Sequence, residues 1–290
     1  MDTRPRSFYV LAGFFALFLL FLYGPMISVL VLSFQGPEGG LVFPMNGVST
    51  HWFDKLWQGG GQVEIGGALR RSLKLALLVM VLTVTISVLA GLAFRRRFRG
   101  ATLLLYVAIA SLIVPSIVVS LGIALEFRLI DDAIKAIGMD LGIEWIQNDF
   151  VSALGPFSSG LGAHLTWTLP FGLLIMFAVF NRFDPAYEEA ARDLGATPWQ
   201  TFRHVTLPMI APFLIGVAVF GFTLSWDELA RSSQVMGADN TLPMQLAAKT
   251  TTVTDPEIYA LGTATTGGSI LLVIMMFTLA SLLQRRRQRG

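Results

Sequence analysis

Residues capable of chemistry are few in this chain and lie far apart. The three histidines, His51, His164 and His204, are dispersed, and their spacing does not suit a shared metal ion. The chain has no cysteine, which excludes disulfides, thiolate nucleophiles and cysteine-ligated metals. No phosphate-binding Gly-x4-Gly-Lys-Ser/Thr loop, Gly-x-Ser-x-Gly or His-Glu-x-x-His motif occurs. We therefore expect no catalysis and no cofactor bound by this chain; a membrane enzyme, the rival class, would have to use His164.

Two acidic residues, Asp227 and Glu228, follow Trp226 near the end of a long uncharged stretch. Acidic side chains are costly within a membrane and mark pathways for ions or substrates. A carboxylate beside an indole ring suits an organic cation, through charge and cation–π contact. Because consecutive helical residues point about 100° apart, only one of the two acids would face such a pathway. The alternative is structural, since Arg231 lies at helical spacing from both acids and would pair with either.

The elements that position these residues are predominantly apolar. Hydrophobic residues make up 54% of the chain and charged residues 14%, and the mean hydropathy is +0.65. A soluble domain of 290 residues could not cover its surface with so few charges, whose usual share is about 25%. The composition therefore predicts a membrane protein, and the apolar stretches described next predict that it is all-α and polytopic. It excludes a disordered chain, a secreted disulfide scaffold and a nucleic-acid binder.

Six stretches are long and apolar enough to cross a bilayer, which requires about 20 residues. The first stretch, Phe8–Phe34, is too long and too aromatic for a cleaved signal peptide, so we expect it to be retained as a membrane anchor. The glycine-rich stretch Gln35–Arg71 predicts an irregular outer loop. Asp131–Phe150 carries apolar residues at a spacing that predicts a helix lying on the membrane surface. The six predicted spans are Phe8–Phe34, Leu75–Phe94, Thr102–Leu125, Leu161–Phe180, Met209–Ser233 and Ile258–Gln284.

The arginines predict how the chain is oriented in the membrane. With six spans, 13 of the 21 Lys and Arg residues fall on the side of both termini. The positive-inside rule makes this side cytoplasmic. The acidic residues are concentrated on the opposite face, which suits the arrival of a cation or a basic partner; the alternative is that the outer loops merely lack arginine. The basic flanks comprise Arg4, Arg6, Arg95, Arg96, Arg97, Arg99, Arg285, Arg286, Arg287 and Arg289.

The predicted cytoplasmic loop 184–208 has more local structure than a connection between spans needs. Asp184-Pro185 suits the N-cap and first position of a helix. Gly195 stands where a left-handed residue would end that helix. Thr197-Pro198-Trp199-Gln200 forms a capping box with proline in the first turn, which predicts a second short helix. We expect Leu207-Pro208 to end this second helix before the fifth span.

The second predicted helix of the loop carries an apolar face. Trp199, Phe202 and Val205 recur at three-residue spacing. An exposed face of this kind indicates a partner protein on the cytoplasmic side. The alternative is a compact loop that packs on its own helices.

The same loop resembles the EAA loop of ABC-importer permeases. Glu189-Ala190-Ala191, then Gly195 after three residues and Val205-Thr206-Leu207-Pro208 after nine more, follow the family pattern, with Val205 in place of Ile. The resemblance covers about residues 68–285 as a five-helix core with its EAA loop at 184–208. It leaves 1–67 as a tail, an additional first span and an outer loop, and 286–290 as a basic tail.

This resemblance implies an importer permease fold with a cytoplasmic coupling helix. The loop would dock in a groove of an ATP-binding subunit and transmit ATP-driven closure to the spans. ATP and Mg²⁺ would be bound by a dimer of these partner subunits. Further partners would be a second permease subunit, a periplasmic or extracellular substrate-binding protein and the lipid of a bacterial inner membrane, with no nucleic acid. The implied coupling residues are Glu189, Ala190, Ala191, Gly195, Trp199, Phe202, Leu207 and Pro208.

Three further segments are similar to the second permease subunit of spermidine/putrescine importers: Phe222–Leu229, Asn240–Gln245 and Asp255–Leu261. This similarity implies import of a small organic cation such as a polyamine by alternating access. Trp226, Asp227 and Glu228 would then line the substrate pathway. Importers of opines, other amines, iron or anions share parts of the scaffold and stay open as alternatives. A channel or membrane scaffold is the alternative from another class.

Overall fold

The computed structural model describes residues 5–40, 43–58, 65–96, 98–252 and 256–289. Within these ranges the protein is helical, and the extended backbone forms only an isolated bridge between Gln35 and Val48. Some residues used in the predictions lie outside the described ranges, namely Arg4, Arg97, Asp255 and part of the stretch Gln35–Arg71. The described helices are α1 (Arg6–Leu32), α2 (His51–Trp57), α3 (Ile65–Phe94), α4 (Ala101–Ala110), α5 (Ser116–Asp140), α6 (Glu144–Asn148), α7 (Ser159–Asn181), α8 (Ala186–Asp193), α9 (Pro198–Thr201), a π-helical turn (Phe202–Thr206), α10 (Leu207–Trp226), α11 (Leu242–Thr252) and α12 (Pro256–Arg289).

Five stretches of the described chain are helical, long and apolar enough to cross a membrane. They are α1, α3, α7, the continuous run from α9 through α10, and the first part of α12. The prediction of an all-α polytopic membrane protein is confirmed. α3 begins well before Leu75, so Gln35–Arg71 is not wholly irregular, since it contains α2 and the start of α3.

The third predicted span, Thr102–Leu125, is wrong as a single helix. α4 ends at Ala110 and α5 begins at Ser116, with a turn between them. Pro115 explains the break, because it lacks an N–H and disfavours helical backbone at the residue before it. α5 then continues to Asp140, so the first part of the predicted surface helix is an extension of α5 and only α6 stands apart.

The fifth predicted span, Met209–Ser233, ends earlier than expected. α10 stops at Trp226, and residues 227–236 form a series of turns. Asp227 and Glu228 therefore do not lie on a helix, and the argument from helical spacing does not apply to them.

One compact unit comprises the described residues of 65–245 and 276–290. Its centre is the packing of α3, α7 and α10 against one another. Gly172 allows α7 to approach α3 closely, since a methyl group there would clash with Oγ of Ser87. Small residues are typical of close helix contacts in membrane proteins, where hydroxyl groups also bond across helices. The hydroxyls of Thr83 and Thr168 do so here, at 2.7 Å.

The other compact unit comprises the described residues of 1–64 and 246–275. Glu257, at the start of α12, binds Lys249 at 2.6 Å and Lys55 at 3.4 Å. α1 buries none of its side chains within the described residues, and its surface is almost entirely apolar. Such a surface suits a lipid environment.

Candidate functional site

The loop 184–208 begins with α8, which starts at Ala186 with Pro185 at the N-cap, one residue later than the sequence predicts. Oδ1 of Asp184 accepts the N–H of Ala186 at 3.0 Å. Two glutamates lie in the first turn and Arg192 in the last, an arrangement that the helix dipole favours. Short-range contacts therefore stabilise this helix at both ends.

A glycine corner ends α8. Gly195 has a φ of +86°, the left-handed conformation that glycine adopts without strain. Its N–H donates to the carbonyl of Arg192 at 2.8 Å, and the N–H of Ala196 donates to the carbonyl of Ala191 at 3.0 Å. This pair of bonds closes the helix end as in a Schellman motif. Leu194, at the corner, is 90% exposed.

The second short helix, α9, starts with the predicted capping box. Oγ1 of Thr197 accepts the N–H of Gln200 at 3.3 Å, and Oε1 of Gln200 accepts the N–H of Thr197 at 2.8 Å. The rings of Trp199 and Phe202 lie 5.7 Å apart between centroids. The aromatic spacing in the sequence thus brings these two side chains together.

The expected end of the second helix at Leu207-Pro208 is wrong. The helix continues through the π-helical turn Phe202–Thr206 directly into α10. The N–H of Leu207 donates to the carbonyl of Phe202, five residues earlier. A π-helical turn shifts the hydrogen-bond register, so the missing N–H of Pro208 falls in the first turn of the next α-helical segment, where proline is tolerated. The loop is therefore continuous with a candidate membrane span.

Glu188 fastens α8 to the end of α3. Its carboxylate accepts two hydrogen bonds from the Arg95 guanidinium, at 2.8 and 3.0 Å. The hydroxyl of Thr206 donates to the same carboxylate at 2.6 Å, and Arg192 lies 3.7 Å away. The Arg95 guanidinium holds the pKa of Glu188 below its usual value, although partial burial acts in the opposite direction. We refer to this cluster of Glu188, Arg95, Thr206 and Arg192 as the Glu188 latch.

The other side of the Glu188 latch is aromatic. The Arg95 guanidinium lies 5.4 Å from the ring centre of Phe180 and 5.0 Å from that of Phe183, within the range of cation–π contacts. A cavity of about 630 Å³ adjoins the latch and is lined by residues from the end of α3, from α8 and from α9. Sequence reasoning missed Glu188. The only local signal was its spacing of four residues to Arg192, because Arg95 lies 93 residues away in the chain.

The predicted coupling residues differ in exposure. Trp199 is 65% exposed. Phe202 is half-buried and packs against a cluster that includes Met176 and Ile210, so only part of its ring is accessible. The exposed members of the set are Glu189, Ala190, Gly195, Trp199 and Pro208, and the half-buried members are Ala191, Phe202 and Leu207.

The predicted pathway residues lie where α10 ends. The ring of Trp226 stacks on Phe222 at 5.8 Å between centroids. Asp227 is exposed, whereas Glu228 is buried and its Oε1 accepts the backbone N–H of Arg231 at 2.8 Å. Among the described residues no carboxylate oxygen lies within 4.0 Å of the Arg231 guanidinium. Arg231 thus forms no close side-chain ion pair with either acid, although Glu228 binds its backbone and its charge acts on the guanidinium from a longer distance.

His164 lies buried in α7, close to the same turns. Its Nδ1 is 2.8 Å from Oγ of Ser225, and its Nε2 is 2.9 Å from Oγ of Ser232. Both ring nitrogens are thus occupied by hydroxyl groups, and the side chain is only 1% exposed. These contacts tie α7 to the end of α10 and to the turns that follow.

Long apolar helices and a structured loop that runs into one of them define a multi-pass membrane protein. The chain belongs to the family of binding-protein-dependent transport system inner membrane components, which it matches over residues 83–289. The predicted resemblance to these permeases is confirmed.

Individual relatives match nearly the whole chain. The putrescine transport system permease protein PotI of Escherichia coli (strain K12) is 29% identical over 272 residues, covering 93% of this chain and 90% of that protein. The spermidine/putrescine transport system permease protein PotC of the same organism is 28% identical over 280 residues, covering 96% and 95%.

Solved transporter structures share the fold. A bacterial ABC transporter involved in the import of the acidic polysaccharide alginate matches with a TM-score of 0.68 and 17% identity, covering 95% of this chain and 94% of that chain. An alginate transporter in complex with a periplasmic protein bound to an alginate pentasaccharide matches with a TM-score of 0.64 and 17% identity, covering 97% and 94%.

Proposed function

We propose that this chain is the permease subunit of an ATP-driven importer that moves a small organic cation, such as a polyamine, across a bacterial inner membrane by alternating access. Family membership supports the transport role, and the names of the two Escherichia coli relatives support the substrate class. The observation that carries the proposal is the fixed shape of the loop 184–208. Its second helix is capped and its glycine corner is closed by hydrogen bonds, yet Trp199 and Leu194 stay exposed for a partner.

In this proposal the loop 184–208 docks in a groove of an ATP-binding subunit and transmits the movement of that subunit to the membrane spans. A fixed pair of short helices transmits a displacement that a flexible loop would absorb. The displacement reaches α3 through the Glu188 latch and α10 through the π-helical turn. The coupling residues are Glu189, Ala190, Ala191, Gly195, Trp199, Phe202, Leu207 and Pro208.

The remaining components follow from the same proposal. ATP and Mg²⁺ are bound by a dimer of partner ATPases, which perform the hydrolysis, and this chain binds no cofactor. A second permease subunit, a homologue of this chain, completes the pathway, and a binding protein delivers the substrate from outside. Both termini are cytoplasmic, and the exposed apolar side chains of α1 contact lipid.

The substrate pathway passes Trp226 and the acids that follow it. Asp227 is the acid that meets the cation, because its carboxylate is exposed and has no ion-pair partner among the described residues. Glu228 contributes charge from a buried position, since its carboxylate already holds the backbone of Arg231. The indole ring of Trp226 adds a cation–π contact.

Purification of the assembled transporter tests the coupling assignment. We expect an ATPase subunit to co-purify with the wild-type chain, and its recovery to fall for the Trp199→Ala variant. Trp145→Ala is the matched control, because Trp145 is 60% exposed on α6, outside the loop. A wild-type chain that conducts solute without any associated ATPase would instead indicate a channel or scaffold.

Uptake by reconstituted complexes tests the substrate class. Asp227→Asn removes the charge at nearly constant shape, and loss of one charge-assisted contact of about 1.5–3 kcal/mol should lower organic-cation uptake roughly ten- to a hundredfold. Glu228→Gln keeps an acceptor for the Arg231 N–H, so subunit yield should stay normal while uptake falls less. Full uptake of organic cations by the double variant would remove the proposed pathway and leave the permease assignment.

A further inference from the structure

The guanidinium of Arg231 lies in the break between α4 and α5. Its Nη2 donates to the carbonyl of Ser111 at 3.0 Å, and its Nε donates to Oγ of Ser116 at 3.3 Å. Its Nη1 donates to Oγ1 of Thr166 on α7. The ring centre of Trp167 lies 4.9 Å from the guanidinium carbon. The groups around this cation therefore come from both sides of the helix break and from α7.

The same residue is also held by its backbone. Its carbonyl accepts the hydroxyl of Ser120 at 2.8 Å, and its N–H donates to Glu228. Arg231 is fully buried, at 0% exposure. A buried charge without an ion pair is strongly unfavourable unless other groups compensate it, and in membrane proteins such charges are a default indication of a functional site.

The charge of Glu228 acts on Arg231 from beyond ion-pair distance, but the groups that contact the guanidinium directly are neutral. The carbonyl of Ser111 follows the last turn of α4, where the helix dipole places partial negative charge. The face of an indole ring attracts a cation in the same way. Carbonyl groups and C-terminal ends of interrupted membrane helices serve elsewhere as ligands for cations. None of these ligands is specific for arginine, because each would also accept an ammonium group.

We propose that the break between α4 and α5 is an organic-cation site, formed by the Ser111 carbonyl, Thr166 and Trp167, which Arg231 fills in this conformation. A free guanidinium or ammonium compound occupies the site when that side chain is withdrawn. In this proposal the Arg231 side chain occupies the site as part of the chain itself, and its withdrawal leaves room for an ammonium group of the substrate. The last step rests on the proposed function, whereas the cation site itself does not.

Chemical rescue of the assembled transporter tests the site. Arg231→Ala empties the proposed cation site, and we expect uptake to fall about tenfold or more, as for loss of a charge-assisted contact. Millimolar methylguanidinium should restore uptake severalfold, whereas urea, which has a similar shape and no charge, should not. Adding Trp167→Leu should abolish the rescue. Arg128→Ala, which removes an exposed arginine of α5, should show no loss and no response.

A second readout does not depend on transport or on the identity of the substrate. Methylguanidinium chloride should raise the melting temperature of the Arg231→Ala complex above that in sodium chloride of equal ionic strength, with no such rise for the wild type. Equal rescue by urea, or a rescue that survives the loss of Trp167, would overturn the proposal. If the wild type takes up no organic cation but the thermal effect is present, the substrate class fails and the cation site stands.

A pair of substitutions covers the case in which the alanine variant does not assemble. Arg231→Lys keeps a cation within reach of the same oxygens, while Arg231→Met has similar length and no charge. We expect the lysine variant to keep at least half of the wild-type complex yield and the methionine variant to lose most of it. Equal yields from the two variants would contradict a site that requires a cation.

Discussion

The Glu188 latch should decide whether movement of the loop 184–208 reaches α3. Glu188→Gln removes the charge but keeps the shape and an oxygen that still accepts the hydroxyl of Thr206. Arg95→Gln removes the other partner. Each variant leaves one charged partner facing an amide, so a weaker charge–dipole contact replaces the two-pronged ionic contact at 2.8 and 3.0 Å.

The size of the effect follows from the exposure of the pair. The side chains are 22% and 11% exposed, so the contact is less screened than a surface ion pair of about 0–1 kcal/mol. Hydrogen bonds to charged groups contribute about 1.5–3 kcal/mol. We expect each substitution to cost about 1.5 kcal/mol of interaction free energy, which corresponds to a roughly tenfold change in an equilibrium or a rate.

The assay is the stimulation of ATPase activity by the loaded binding protein in reconstituted complexes. Each single variant should reduce stimulation about tenfold, and the double variant should fall no further, because both substitutions remove the same interaction. Asp193→Asn, on the exposed side of α8, is the matched control and should leave stimulation unchanged. Independent effects that multiply to about a hundredfold, or normal stimulation in Glu188→Gln, would refute the role of the latch.

The lowered pKa of Glu188 fixes the pH range in which the latch operates. Its pKa in the folded protein lies below the ordinary value of 4.5. The latch therefore contributes its full stability above 4.5 and loses it as the pH falls through the lower folded value. At neutral pH the latch is intact, and Glu188→Gln reproduces the state that acid would create.

Three further outcomes are expected. Gly195→Val forces a β-branched residue into a left-handed conformation at about 1–2 kcal/mol, so ATPase stimulation should fall, while Gly195→Asn, which tolerates this conformation, should retain most of it. Gly172→Ala should lower the melting temperature of the complex by overpacking α7 on α3, at about 1–3 kcal/mol, whereas Gly162→Ala, in open space on the same helix, should not. A reporter active only in the cytoplasm should work at Thr197 and fail at Asn240; activity at both would overturn the predicted orientation.

The sequence predicted the corner of the loop 184–208 because its signals are local. A capping side chain and the N–H that it accepts lie within three residues, as in the box of Thr197 and Gln200. Gly195 marked the end of α8 for the same reason. Pro208 was misleading, since proline ends a helix only when the hydrogen-bond register would require its N–H, and the π-helical turn changes that register.

Contacts between distant parts of the chain could not be predicted in this way. Glu188 and Arg95 are 93 residues apart, and neither residue carries a local signal for the other. The resemblance to importer permeases directed attention to the neighbouring Glu189, which is exposed. Glu188, which holds the loop, and Glu189, which is predicted to contact the partner, are therefore adjacent in sequence, but Glu188 is buried and Glu189 is exposed.

Arg231 connects the two segments whose span predictions were wrong. Pro115 interrupts the third span and frees the carbonyl of Ser111 from helical bonding, which creates an acceptor inside the protein. Arg231 uses that acceptor while located in the turns that follow the early end of α10 at Trp226. The interruption of the third span therefore gives the Arg231 guanidinium a carbonyl partner. In an uninterrupted helical fifth span, the guanidinium would instead have paired with the acidic residues of that span. Helical spacing along a single segment cannot reveal such an exchange, because the two residues are 120 positions apart.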